Sequence, residues 1–155
     1  MILPCRELMP VIRSALERGQ RVRMTCNGWS MCPFIRDGDI VELQPPSGSV
    51  TLGDIVLAQS PAGHYVLHRV VRIEGLAYFL AGDAQRAREG PFDRSALVGQ
   101  AVKVLRGRRT IALERGVWRL AGWVWLRCAP CRPALLWLAR RIQAIGRGFG
   151  VSVAD

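Results

Sequence analysis

The chain has 155 residues, half of them apolar, and a net charge of +10. That length accommodates one domain with an appendage and excludes two large domains. The basic excess favours an anionic partner, whether an acidic peptide, nucleic acid or an anionic membrane surface.

Cys5, Cys26, Cys32, Cys128 and Cys131 form an odd set without regular spacing, which argues against a secreted disulfide framework and for a reducing compartment. Cys128-Ala129-Pro130-Cys131 has the gap of a metal or redox pair. Structural zinc needs about four ligands, however, and no second close pair exists, so free thiols or a lipidation site fit better and neither metal nor cofactor is expected.

Residues 1–20 form the first predicted unit. Arg6, Glu7, Arg13, Glu17 and Arg18 interrupt any apolar run there, so neither a signal peptide nor an amino-terminal anchor is expected. Leu8, Val11, Ile12, Ala15 and Leu16 recur at helical spacing and predict a short amphipathic helix from about Pro10 to Arg18, stopped at Gly19.

Residues 21–113 form the second unit, a mainly β domain. Short apolar runs predict strands over 21–26, 40–43, 55–59, 65–73, 78–80 and 98–105. Turn signals separate them at Pro45-Pro46-Ser47-Gly48, Gly53-Asp54, Ser60-Pro61-Ala62-Gly63, Glu74-Gly75 and Glu89-Gly90-Pro91, so most strands are expected to be antiparallel neighbours in a small coiled sheet or partial barrel. After Leu105 the basic cluster Arg106-Gly107-Arg108-Arg109 marks a boundary, and a last strand is predicted over 110–113.

Residues 114–155 form a basic, tryptophan-rich tail that is expected to be helical. Trp118, Trp123, Trp125 and Trp137 accompany Arg119, Arg127, Arg132, Arg140, Arg141 and Arg147, with no acidic residue between 117 and 154. Arginines and the prolines Pro130 and Pro133 break the apolar run below the ~20 residues that a membrane-spanning helix needs. Two helical pieces hinged at 130–133 would instead present tryptophan on one side and arginine on the other, as an interfacial membrane helix pair does. A hairpin packed on the domain, or on a second copy, fits the same composition.

Ser30 lies in Gly28-Trp29-Ser30-Met31-Cys32-Pro33, a bracketed turn that ends at Asp37-Gly38-Asp39 before the apolar pair Ile40-Val41. A serine hydroxyl needs a neighbouring base before it can act as a nucleophile. Lys103, the sole lysine, alternates with Val102 and Val104 toward solvent, and His64 sits in a turn. His68 is embedded in the apolar strand Tyr65-Val66-Leu67-His68-Arg69-Val70-Val71, where an imidazole must find a partner or stay neutral. Asp83, after Phe79-Leu80-Ala81-Gly82, could orient that imidazole.

The order of these motifs, with Gly53-Asp54-Ile55-Val56, His68-Arg69-Val70, Gly82-Asp83-Ala84 and Val98-Gly99, resembles the type I signal peptidase and LexA-like serine peptidase superfamily over residues 24–105. Within it the chain is similar to the archaeal and endoplasmic-reticulum branch, in which histidine replaces the lysine base. The resemblance implies a serine endopeptidase of signal-peptidase-type fold, with Ser30 as nucleophile, His68 as general base, Asp83 as orienting acid, and backbone amides near Ser30 for the oxyanion. Met31 and Pro33, beside the nucleophile, would contact substrate.

Two departures from the family pattern stand out. The family continues its Gly-Asp motif with asparagine and, about six residues on, another aspartate; here Gln85 and Glu89 occupy those places and Asp93 follows, which leaves Asp83, Glu89 and Asp93 open as the acid. The amino-terminal anchor usual in the family is not expected here, so any docking near a membrane would fall to the tail and the expected location is cytoplasmic or peripheral on the cytoplasmic face. The implied substrate is a peptide or preprotein with small side chains before the cut. A LexA-like self-cleaving or DNA-associated regulator, and an inactive membrane-associated binding module, are the alternatives. Nucleic acid is the less expected partner, because residues 1–23 are short for a helix-turn-helix.

Overall fold

The computed structural model describes residues 5–46 and 48–113, together with 121, 122, 124, 125 and 127. Helix α1 (Cys5–Glu17) is followed by strands β1 (Val22–Thr25), β2 (Ile40–Gln44), β3 (Ile55–Gln59), β4 (Tyr65–Glu74), β5 (Ala77–Ala81), β6 (Glu89–Phe92), β7 (Leu97–Arg106) and β8 (Arg109–Ala112). The chain is mainly β, as its rhythm of short apolar runs predicts.

All pairings are antiparallel, in one open sheet of order β1-β2-β7-β3-β4-β5-β6, with β8 paired to β7. The long strand β7 organises it. One edge of β7 meets β2 from Gln100 to Leu105, while β3 covers Leu97 to Gln100 and β8 covers Lys103 to Arg106.

Alternation along β3 divides the core. Ile55 and Leu57 join Met9, Ile12 and Leu16 of α1 with Val41, Leu43 and Val104, whereas Val56 and Ala58 join Val70, Leu80, Phe92 and Leu97. Both faces of β3 are therefore covered, and Val41, Leu43, Val56, Val70, Leu80 and Val104 are wholly buried. Each such side chain contributes roughly 1.5–3 kcal/mol of transfer free energy.

Three elements differ from the sequence expectation. Helix α1 starts at Cys5 rather than Pro10, and Pro10 lies inside it. Its buried stripe runs Met9, Ile12, Leu16, while Leu8 and Val11 face solvent, so the apolar face is rotated toward Met9. The turn expected at Glu89-Gly90-Pro91 is strand β6. Proline is tolerated there because β6 ends the sheet and one of its edges has no ladder to feed. The basic cluster at 106–109 is the β7–β8 hairpin turn, with Arg106 opposite Arg109, rather than a boundary after the sheet.

Residues 121, 122, 124, 125 and 127 are helical. The proposed hinge at 130–133 and most of the tail lie outside the described residues. Among the described residues no helix is long and apolar enough to cross a membrane.

Candidate active site

The loop from Asn27 to Gly38 is tied at both ends before it presents Ser30. Asp37 Oδ1 accepts a bond from the Gly28 N–H at 2.8 Å, and the Cys26 N–H donates to the Asp39 carbonyl at 2.8 Å. Asp39 is gripped in turn by Arg106, whose Nη2 donates to Oδ2 at 2.6 Å and to the Phe34 carbonyl at 2.9 Å. The two aspartates of Asp37-Gly38-Asp39 thus set the loop shape, and no proton chemistry need be assigned to them.

The opposite wall comes from the Gly82-Asp83-Ala84 loop. The Ala84 N–H donates to the Ser30 carbonyl at 2.8 Å. A Cβ on Gly82 would lie 2.6 Å from that same carbonyl oxygen, so only glycine lets the two backbones approach this closely.

Ser30 and His68 both line a cleft of about 500 Å³, together with Met9, Met24, Met31, Leu57, Tyr65, Gln85 and Glu89. The sheet explains why it is open. Strand β1 ends the sheet, and β4 pairs with β5 only from Arg69 onward, so residues 65–68 have β3 on one side and the cleft on the other. Among the described residues neither strand edge has a ladder partner on the cleft side, and an edge of this kind can in general accept a further extended segment.

His68 is 5% exposed. Its Nδ1 lies 3.3 Å from Glu89 Oε1, within ion-pair reach but not aligned as a hydrogen bond, so this buried nitrogen has no formed bond. Burial pushes the imidazole below its ordinary pKa of 6.5, against the opposing pull of the Glu89 and then the Asp83 carboxylate. A neutral imidazole at neutral pH is the form that can accept a proton.

Asp83 is occupied differently. Arg69 Nε donates to its Oδ1 at 2.7 Å and Nη2 to its Oδ2 at 2.8 Å, and both side chains are buried. Alternation along β4 sends His68 and Arg69 to opposite faces, and each takes a different acid. Of the candidate acids, Glu89 is therefore the one at the imidazole. Strand β6, absent from the sequence reading, carries it there.

Of the residues expected to contact substrate, Met31 lines the cleft and Pro33, half-buried, does not. His64 is exposed in its turn, and Lys103 lies 3.5 Å from Glu42, away from the cleft lining. Cys32 is buried and Cys26, which lines the cleft, is half-buried. Among the described residues no three His, Cys, Asp or Glu side chains gather as a metal site.

Arg69 is the residue that sequence reasoning passed over. A signal for it existed, since an arginine in the middle of an apolar strand must find a carboxylate. Comparison with protein-family models, with curated proteins and with solved structures returns no match.

Proposed function

We propose that the chain is a serine endopeptidase of the signal peptidase and LexA-like kind, cutting a precursor peptide or preprotein through an acyl-enzyme. The observation that carries this reading is the shared cleft: Ser30 and buried His68 line it together, with Glu89 3.3 Å from the imidazole Nδ1. The free strand edges around the cleft support an extended peptide as substrate.

Glu89 beside Nδ1 favours the proton on that nitrogen and leaves Nε2 as the base. Ser30 Oγ attacks the scissile carbonyl carbon while its proton passes to His68 Nε2. Backbone N–H groups at the Ser30 turn hold the oxyanion. The carbon–nitrogen bond breaks as the same proton moves to the leaving amine, and water then repeats the sequence on the ester, releasing the acid and restoring Ser30. The basic tail beyond Arg127, with Trp137 and four arginines, docks the enzyme on an anionic membrane surface.

The deciding experiment treats the full chain with a fluorophosphonate and maps the adduct by mass spectrometry. A covalent adduct at Ser30, lost in Ser30→Ala and His68→Ala, is the expected result. An unmodified Ser30 in a folded protein would leave the inactive binding module as the better reading.

A further inference from the structure

Residues Gly122 and Trp125 sit against the buried Arg69–Asp83 pair, far from them in sequence. The Trp125 indole Nε1–H donates to the Asp83 carbonyl at 2.9 Å, and Trp125 is 8% exposed. Its ring meets Phe34 edge-on, with centroids 5.7 Å apart and planes at 78°, and the Arg69 guanidinium lies 4.8 Å from the centroid of that same Phe34 ring. A Cβ on Gly122 would fall 2.5 Å from Arg69 Nη1. That guanidinium cannot swing aside freely, because it is bonded to both Asp83 oxygens and, through Nη1, to the Gly53 carbonyl at 2.8 Å.

Two loops frame Ser30, and Trp125 touches both. Phe34 ends the turn that begins at Ser30, and Asp83 is followed by Ala84, whose N–H holds the Ser30 carbonyl at 2.8 Å. From Trp125 to Ser30 the path is therefore one hydrogen bond, one peptide unit and one more hydrogen bond. Such a path matters where a nucleophile must be held to within a fraction of an ångström.

We propose that Gly122 and Trp125 form a clamp, a set of positioning residues that lock the Gly82–Ala84 loop and the Ser30–Phe34 turn together and so hold the nucleophile in place. Trp125 does not face outward for lipid, and these two residues of the tail are part of the site's support. The consequence for activity rests on the peptidase reading; the mechanical link does not.

The test compares full-length Trp125→Phe, which keeps a ring beside Phe34 but removes the donor, with Gly122→Ala. In both, exchange of the Ala84 amide hydrogen should accelerate about tenfold, while the Leu57 and Val104 amides exchange as in the wild type. Fluorophosphonate labelling of Ser30 should slow by about the same factor with its pH midpoint unmoved, since neither variant alters His68 or Glu89. Wild-type exchange at Ala84 in both variants, or an increase spread evenly over the sheet, would overturn the clamp. If wild-type Ser30 takes no label, the peptidase reading fails and the Ala84 exchange still decides the clamp.

Discussion

Arg69 and Asp83 are joined by two parallel hydrogen bonds of 2.7 and 2.8 Å, with side chains 5% and 1% exposed. Asp83→Asn would leave the guanidinium buried without its counter-charge, a change that costs on the order of 3–5 kcal/mol. Glu89→Gln, whose carboxylate is 38% exposed, should stay within about 0.5 kcal/mol of the wild type. Reversible denaturant melts measure both, and equal losses for the two variants would refute this division between a structural and a functional acid.

Glu89 also leaves a signature in the pH profile. Its charge favours the protonated imidazole, so Glu89→Gln lowers the His68 pKa and moves the acidic limb of cleavage or labelling to lower pH. The plateau should fall by about 10²-fold, because an unoriented imidazole is a poorer base. A limb that stays in place, or moves to higher pH, would exclude Glu89 as the partner of His68.

The β architecture was legible because alternating apolar runs and glycine–proline turns carry it locally. Ser30 and His68 could be singled out as candidates as well, one from its bracketed turn and the other as an imidazole in an apolar strand. Which carboxylate stands beside the imidazole could not. Asp83 stands before the loop 84–88 while Glu89 opens strand β6, and Gly90-Pro91 reads as a turn until β5 supplies its partner. The tail posed a different problem, since tryptophan and arginine have the same composition whether they face lipid or a buried ion pair. Trp125 faces the ion pair, and only its contacts with Asp83 and Phe34 reveal it.

Burial of His68 makes stability depend on pH in a fixed direction. The folded pKa is depressed below the unfolded value of 6.5, so above that value both states hold a neutral imidazole and folding loses nothing. As the pH falls from about 6.5 toward the folded pKa, only the unfolded chain takes up the proton and stability drops. The thermal midpoint should therefore decline as the pH falls through and below about 6.5, and His68→Gln should reduce that decline. An identical slope in the variant would assign the acid sensitivity to other groups.

Gly82 and Gly99 are both crowded, with different outcomes. An alanine methyl at Gly82 meets the Ser30 backbone carbonyl at 2.6 Å, whereas at Gly99 the nearest atom is the Leu16 Cδ1 methyl at 2.9 Å. Backbone held by the Ala84–Ser30 bond yields less readily than the end of a leucine. Gly82→Ala should thus cost about 1–3 kcal/mol and depress labelling of Ser30, while Gly99→Ala should cost less and leave labelling near normal. Equal labelling in the two variants would show that the Gly82 contact does not position the serine.

Membrane docking by the tail is best tested by a truncation after Arg127, because a shorter chain would remove Trp125 and expose the Arg69–Asp83 pair. The truncated protein keeps the Gly122–Trp125 contacts and loses Trp137, Arg132, Arg140, Arg141 and Arg147. Each basic residue near an anionic surface adds about 1 kcal/mol, so losing four should reduce cosedimentation with phosphatidylserine-containing vesicles by at least about 10²-fold. Hydrolysis of a soluble peptide should be unchanged, and binding to neutral vesicles should be weak for both proteins. Undiminished binding of the truncated chain to anionic vesicles would rule out the tail beyond Arg127 as the anchor, and would shift attention to the exposed Leu8 and Val11 of α1.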